Sequence, residues 1–231
     1  MLLFAAISLI VPTVYSSLLP DKTTARRLDL SLDISIVLIV IYGLSLLFEL
    51  HTHRRLFVPK REEGTHETEP DHQLWSLGKA LNMLTIATVL VAWMSELLVS
   101  SVEHASKAMH LNELFVGVII VAIIGNAAEH SSAILVAMKN KMDLSISIAV
   151  GSSLQIALFV APILVFVGRV FGKPMDLVFG PLEVISVGLS VIVVNQVAQD
   201  RECNWLEGAQ LFGVYIILGI AFYFLPELNL I

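Results

Sequence analysis

Residues 114–141 read "LFVGVIIVAIIGNAAEHSSAILVAMKNK", and the polar patch in their middle decides how the rest of the chain is understood. An apolar run leads up to Gly125, after which the chain offers the amide of Asn126, the carboxylate of Glu129 and the imidazole of His130. Apolar segments of about 17–25 residues are what a membrane-crossing helix requires. An ionisable side chain inside such a segment is expensive, and its presence there marks function by default.

Composition supports a bilayer setting. The 231 residues are 56% hydrophobic and 15% charged, with a mean hydropathy of +0.82; soluble domains carry about 25% charged residues. Apolar spans fall near 1–18, 31–51, 80–101, 112–138, 143–168, 177–199 and 205–225. The expected fold class is therefore all-α, a polytopic membrane bundle of about seven helices. A soluble helical bundle would need charged helix faces, which these segments lack. The single cysteine, Cys203, excludes an intrachain disulfide. Met1, Leu2 and Leu3 supply no basic leader, so the first span reads as a retained helix.

The one long hydrophilic stretch, 51–73, begins basic (Arg54, Arg55, Lys60, Arg61) and turns acidic (Glu62, Glu63, Glu67, Glu69, Asp71). It divides the chain into two helices over 1–51, an acidic linker over 52–73 and five helices over 74–231. His51, His53, His66 and His72 surround the acids and are read either as pH-sensitive groups or as ordinary loop residues. Loops on the linker side carry eight Lys and Arg against six on the other. The positive-inside rule then places the linker and the N-terminus in the cytoplasm.

On a single helix from near Leu111 to Asn140, Asn126 and Glu129 would share a face, with His130 about 100° around it. Gly125, Ala127 and Ala128 remove bulk beside them, so that another helix or an ion can approach, or the helix can unwind. The next span repeats the theme in "AVGSSLQIALFVAP" (149–162), where Gly151 precedes Ser152 and Gln155, again three apart. Asn, Glu, Ser and Gln all present oxygen, the donor that hard cations such as Ca²⁺ take in sets of six to eight. Zinc would call for His or Cys. Desolvation favours the neutral form of a carboxyl and a cation beside it favours the charged form. A site holding either Ca²⁺ or protons is the basic requirement of an antiporter. For Asn126, Ser152 and Gln155, interhelical hydrogen bonding stands as the alternative to ligation.

These residues carry a resemblance. The stretch from Gly125 to Gly168, "GNAAEHSSAILVAMKNKMDLSISIAVGSSLQIALFVAPILVFVG", resembles the second signature repeat of the Ca²⁺/H⁺ exchangers, the cation/proton branch of the calcium/cation antiporters. Residues 180–224 resemble the last two helices of that family, and the acidic linker resembles the segment between its two halves. The resemblance implies an inverted-repeat antiporter whose last five helices form one half. It implies Glu129 as the central Ca²⁺ and proton carboxylate, with Asn126, Ser152 and Gln155 lining the site and backbone carbonyls near Gly125 and Gly151. It implies His130 as an accessory proton-sensitive group, with packing as the alternative, and Glu96 on the first helix of this half beside the cytoplasmic ion pathway, or else merely interfacial.

The departure from the family pattern is equally specific. Members carry the Gly-Asn-Ala-x-Glu signature twice, and here it occurs once, while residues 1–51 resemble only the last two helices of the first half. The chain thus resembles a C-terminal portion, expected to work with a first-half repeat bearing the second signature. Ca²⁺ is then cargo, no cofactor is expected, and the partners are Ca²⁺, H⁺ and membrane lipid, with a homo-oligomer open and no nucleic acid. The expected location is a bacterial inner membrane, or alternatively a vacuolar or other organelle membrane. An antiporter of Na⁺, K⁺ or Mn²⁺ is the nearest competing reading. An intramembrane hydrolase using Glu129 and His130 lacks the second metal ligand of an H-E-x-x-H pattern.

Overall fold

In the computed structural model the described residues are 1–18, 24–52, 76–109, 111–198 and 204–225. Nearly all of the acidic linker lies outside them, with His53, His66 and His72, as does Cys203. The described chain is helical throughout its regular structure, with no strand among the described residues. That is what hydrocarbon surroundings demand, since a helix satisfies every backbone polar group within its own segment.

Among the described residues eight helices follow in order. They are α1 (Leu2–Leu18), α2 (Thr24–Thr52, ending in a π-helical turn), α3 (Leu77–Met109), α4 (113–125), α5 (Ala127–Met138), α6 (Met142–Val170), α7 (Pro181–Val197) and α8 (Trp205–Tyr223). Further π-helical turns interrupt α4 at Val116–Val121 and α6 at Ile156–Val160. On length and apolarity α2, α3, α6 and α8 can each cross a bilayer, and α4 with α5 makes a fifth crossing if the bent pair is one span. Helices α1 and α7 are shorter, 17 residues each; at 1.5 Å per residue they reach about 26 Å.

Helix bounds differ from the hydropathy reading for definite reasons. The span expected over 31–51 begins at Thr24, because the charged residues Arg26, Arg27, Asp29 and Asp33 sit on the same continuous helix. The span expected over 80–101 extends to 77–109. The span expected over 177–199 starts only at Pro181. Proline suits a first helical turn, and the carboxylate of Glu183 accepts a hydrogen bond from the Gly180 N–H just ahead of it. Glu183 is therefore a helix-start residue. Glu207 has the same task on α8: it accepts from the Asn204 N–H at 3.3 Å while Asn204 Oδ1 accepts from the Leu206 and Glu207 N–H groups at 3.0 Å.

The core forms where α1, α2 and α6 surround the non-helical segment 173–180. Ala5, Leu38, Leu158, Val165 and Leu177 make one buried cluster, with Leu38 and Leu177 wholly inaccessible. Tyr42 stacks on Phe159 beside it, ring centroids 5.1 Å apart. A chain reversal delivers the segment to this place. Gly172, at φ +69°, ends α6 in the left-handed conformation, and the Lys173 N–H returns to Gly168 O at 2.9 Å. A Cβ on Gly168 would stand 2.7 Å from Lys173 O, so glycine is required there as well.

Buried non-helical backbone must find hydrogen-bond partners. Hydroxyls from the first two helices provide them: the Leu177 N–H donates to Ser31 Oγ at 3.0 Å and the Phe179 N–H to Thr13 Oγ1 at 2.8 Å. Ser31 is fully buried. An exposed Arg169–Asp29 pair at 3.4 Å adds little to this junction. Ser31→Ala leaves the Leu177 N–H without its acceptor and should lower stability by about 1–3 kcal/mol. Asp29→Asn should change it by less than about 1 kcal/mol. Thermal unfolding of both variants in detergent checks the contrast, and equal midpoints would remove the hydroxyl from its assigned role.

Candidate cation site

The stretch 114–141 does not fold as one helix. It breaks at Asn126, where φ −99° and ψ 15° leave the helical region, and α4 and α5 diverge by 57°. The expectation of a single helix from near Leu111 to Asn140 is thereby corrected: Asn126 is the joint, and Glu129 lies in the first turn of α5, on the face that Asn126 shares. The bend keeps its hydrogen bonds. Asn126 N–H donates to Ala122 O at 3.1 Å and His130 N–H to Asn126 O at 2.9 Å.

A tight hairpin brings α6 back along α5. Asn140 takes φ 57°, tolerated by asparagine, with the Lys141 N–H reaching Val136 O at 3.3 Å and the Asn140 N–H reaching Ala137 O at 2.9 Å. One turn further on, Ser145 Oγ donates to Ala133 O at 2.9 Å, tying the two helices together.

Beyond that tie the helices flank an open cavity of about 410 Å³. Its lining is Asn126, Glu129, His130 and Ala133 from one side and Ala149, Ser152, Ser153 and Ile156 from the other. Each set is spaced i, i+3, i+4, i+7, which is one helix face. Four expected site residues therefore meet: Asn126, Glu129, His130 and Ser152. Glu129 is the one carboxylate in the lining, and among the described residues no three His, Cys, Asp or Glu side chains gather into a metal cluster.

Other expected residues fall elsewhere. Gln155 is outside the lining, because a spacing of three from Ser152 turns it past the edge of the shared face. Gly125 and Gly151 also stand outside it, and a Cβ on either would meet nothing within 4 Å. Glu96 is exposed on α3 and is not part of the lining. Ala149, Ser153 and Ile156 were not expected. The i, i+3, i+4, i+7 spacing from Ala149 to Ile156 is the pattern that marks them.

Residues 79–224 match the family described as sodium/calcium exchanger protein. The chain is 45% identical over 231 residues to a Ca(2+)/H(+) antiporter of Aphanothece halophytica, an alignment covering 96% of this chain and 62% of the relative. It is 43% identical over 226 residues to the Ca(2+)/H(+) antiporter ChaA of Bacillus subtilis, covering 97% and 63%. A vacuolar calcium ion transporter of Schizosaccharomyces pombe is 36% identical, covering 98% and 55%. The solved structure of native YfkE superposes with a TM-score of 0.78 at 39% identity, covering 97% of this chain and 61% of that one. The chain thus spans less than two thirds of the length of these relatives. It belongs to the sodium/calcium exchanger family, and it is an integral membrane protein. The resemblance to Ca²⁺/H⁺ exchangers read from the sequence holds across nearly the whole chain.

The hairpin is open to a direct test. In a Cys203→Ser background, cysteines at Ala133 and Ser145 should be joined by a short bifunctional thiol reagent, giving a fragment that stays whole after cleavage in the 139–141 turn. A pair at Ala133 and Val170, the latter about 37 Å along α6 from Ser145 and also beyond the turn, should not be joined. Equal yields from the two pairs would contradict the arrangement of α5 and α6.

Proposed function

We propose that the chain exchanges Ca²⁺ for H⁺ across a membrane as the second half of a secondary antiporter, and is not an enzyme. One observation carries this reading: a lone carboxylate, in the first turn of a broken helix, facing a cavity otherwise lined by amide, imidazole, hydroxyl and apolar groups. The relatives named Ca(2+)/H(+) antiporter support it. Glu129 holds a proton or shares a cation, never both, so that occupancy by one releases the other. Asn126 and Ser152 supply neutral oxygens, and His130 stands at the cavity edge as an accessory proton-sensitive group.

In this reading 74–231 is the second repeat and 1–51 the end of the first, with the acidic linker between them on the cytoplasmic side. The remaining negative charge needed to balance Ca²⁺ comes from a first-half repeat with its own Gly-Asn-Ala-x-Glu, in keeping with the greater length of the relatives. The bacterial relatives, more similar than the vacuolar ones, support a bacterial inner membrane.

Two outcomes are expected in vesicles with an imposed pH gradient. Residues 1–231 alone should show no Ca²⁺ uptake, because one carboxylate leaves a divalent ion poorly neutralised and alternating access needs a second repeat to move against. Co-expression with a first half bearing the second signature should produce uptake. Robust proton-driven uptake by the purified chain alone would overturn this. In the co-expressed form, Glu129→Gln should abolish uptake at normal expression, since it keeps size and polarity but removes the charge. Uptake at the unsubstituted level by that variant would remove Glu129 from its role.

A further inference from the structure

Two neighbouring serines line the cavity, and their hydroxyls are placed differently. Ser153 Oγ donates to Ala149 O at 3.0 Å. Thr85, Thr88, Ser131 and Ser147 make the same bond to the carbonyl four residues earlier, but Ser153 is the one of these five that lines the cavity. A hydroxyl carries one proton and two lone pairs. To coordinate a cation, its oxygen must turn a lone pair to the ion and send its proton elsewhere. The carbonyl of Ala149 already receives that proton.

Helix geometry places Ser153 on the second edge of the cavity. At about 100° per residue, Ser152 and Ser153 straddle the line from Ala149 to Ile156, as Glu129 and His130 straddle the line from Asn126 to Ala133. Because α5 and α6 are joined by a tight hairpin and run antiparallel, Ser152 lies on the Glu129 edge and Ser153, an exposed residue, on the His130 edge. Both edges open into the same space.

We propose that Ser153 is a further cation-binding residue, supplying a hydroxyl oxygen whose proton is committed to Ala149 O. The inference rests on the cation-exchange reading of this cavity. Ser153 sets affinity for the ion, while the charge that drives exchange stays with Glu129.

Vesicles carrying both halves test it. Ser153→Ala should raise the Ca²⁺ KM by about five- to tenfold with Vmax within about twofold, because one oxygen among six to eight is lost. Ser153→Thr, which keeps the hydroxyl, should retain the original KM. Ser153→Cys, in a Cys203→Ser background, places a soft sulfur in the cavity and should increase inhibition by Cd²⁺ by about tenfold or more. A role limited to packing would give no such gain. An unchanged KM in Ser153→Ala together with unchanged Cd²⁺ sensitivity in Ser153→Cys would overturn the proposal. Glu129→Gln separates the two failures. If it abolishes uptake while the Ser153 variants behave as the unsubstituted protein, this inference alone falls; if it leaves uptake intact, the antiporter reading falls with it.

Discussion

A carboxylate inside a bilayer persists in charged form only where something other than water stabilises it. The break at Asn126 decides what surrounds Glu129. The 57° bend starts a new helix three residues before it, so Glu129 lies in the first turn of α5, next to the joint and across the cavity from α6. The hairpin through Asn140, and the Ser145 to Ala133 bond, then hold the hydroxyls of α6 against that turn.

The support behind this site comes from an unexpected quarter. Residues 1–51 read from sequence as the tail of a different half, yet Ala5 and Leu38 share their buried cluster with Leu158, Val165 and Leu177. The unit of packing therefore crosses the acidic linker. It is fastened by two hydroxyls, Ser31 and Thr13, on backbone that would otherwise be buried without acceptors. Helix α4, which leads into the break, and helix α6 each contain a π-helical turn, Val116–Val121 ahead of the break and Ile156–Val160 just past Gln155. Wider turns of this kind recur inside helices near functional sites.

Hydropathy made the helical class and the apolar segments legible because a bilayer permits almost nothing else. Glu129 was legible because charge at that depth has a cost. The break was only partly legible: unwinding beside Gly125, Ala127 and Ala128 stood as one alternative, but the joint contains no proline and those residues are equally compatible with a continuous helix. The membership of the cavity was not legible. Spacing by three says that two side chains share a face, but not which face meets a neighbour, so Gln155 was expected at the site and Ser153 was not. The start of α2 was misplaced because a helix of 29 residues, about 43 Å long, outreaches a hydrocarbon core of about 30 Å and carries its charged turn beyond it. The apolar letters of 177–180 were read as the start of a helix. Their conformation depends on partners more than a hundred residues earlier, which no local window contains.

The separation between Ser31 and Leu177, 146 residues, bears on how the protein is made. At roughly 5–20 residues per second of synthesis, Ser31 waits about 7–30 seconds for its partner to leave the ribosome. During that interval α1 and α2 are inserted without the surface they will finally cover, and Leu38 faces lipid or the insertion machinery. Ser35 can meanwhile turn its hydroxyl onto the Ser31 carbonyl of its own helix, as it does in the finished fold at 2.6 Å. The first two helices are thus early arrivals holding a place for a late segment, and assembly of the core is governed by translation time as much as by affinity.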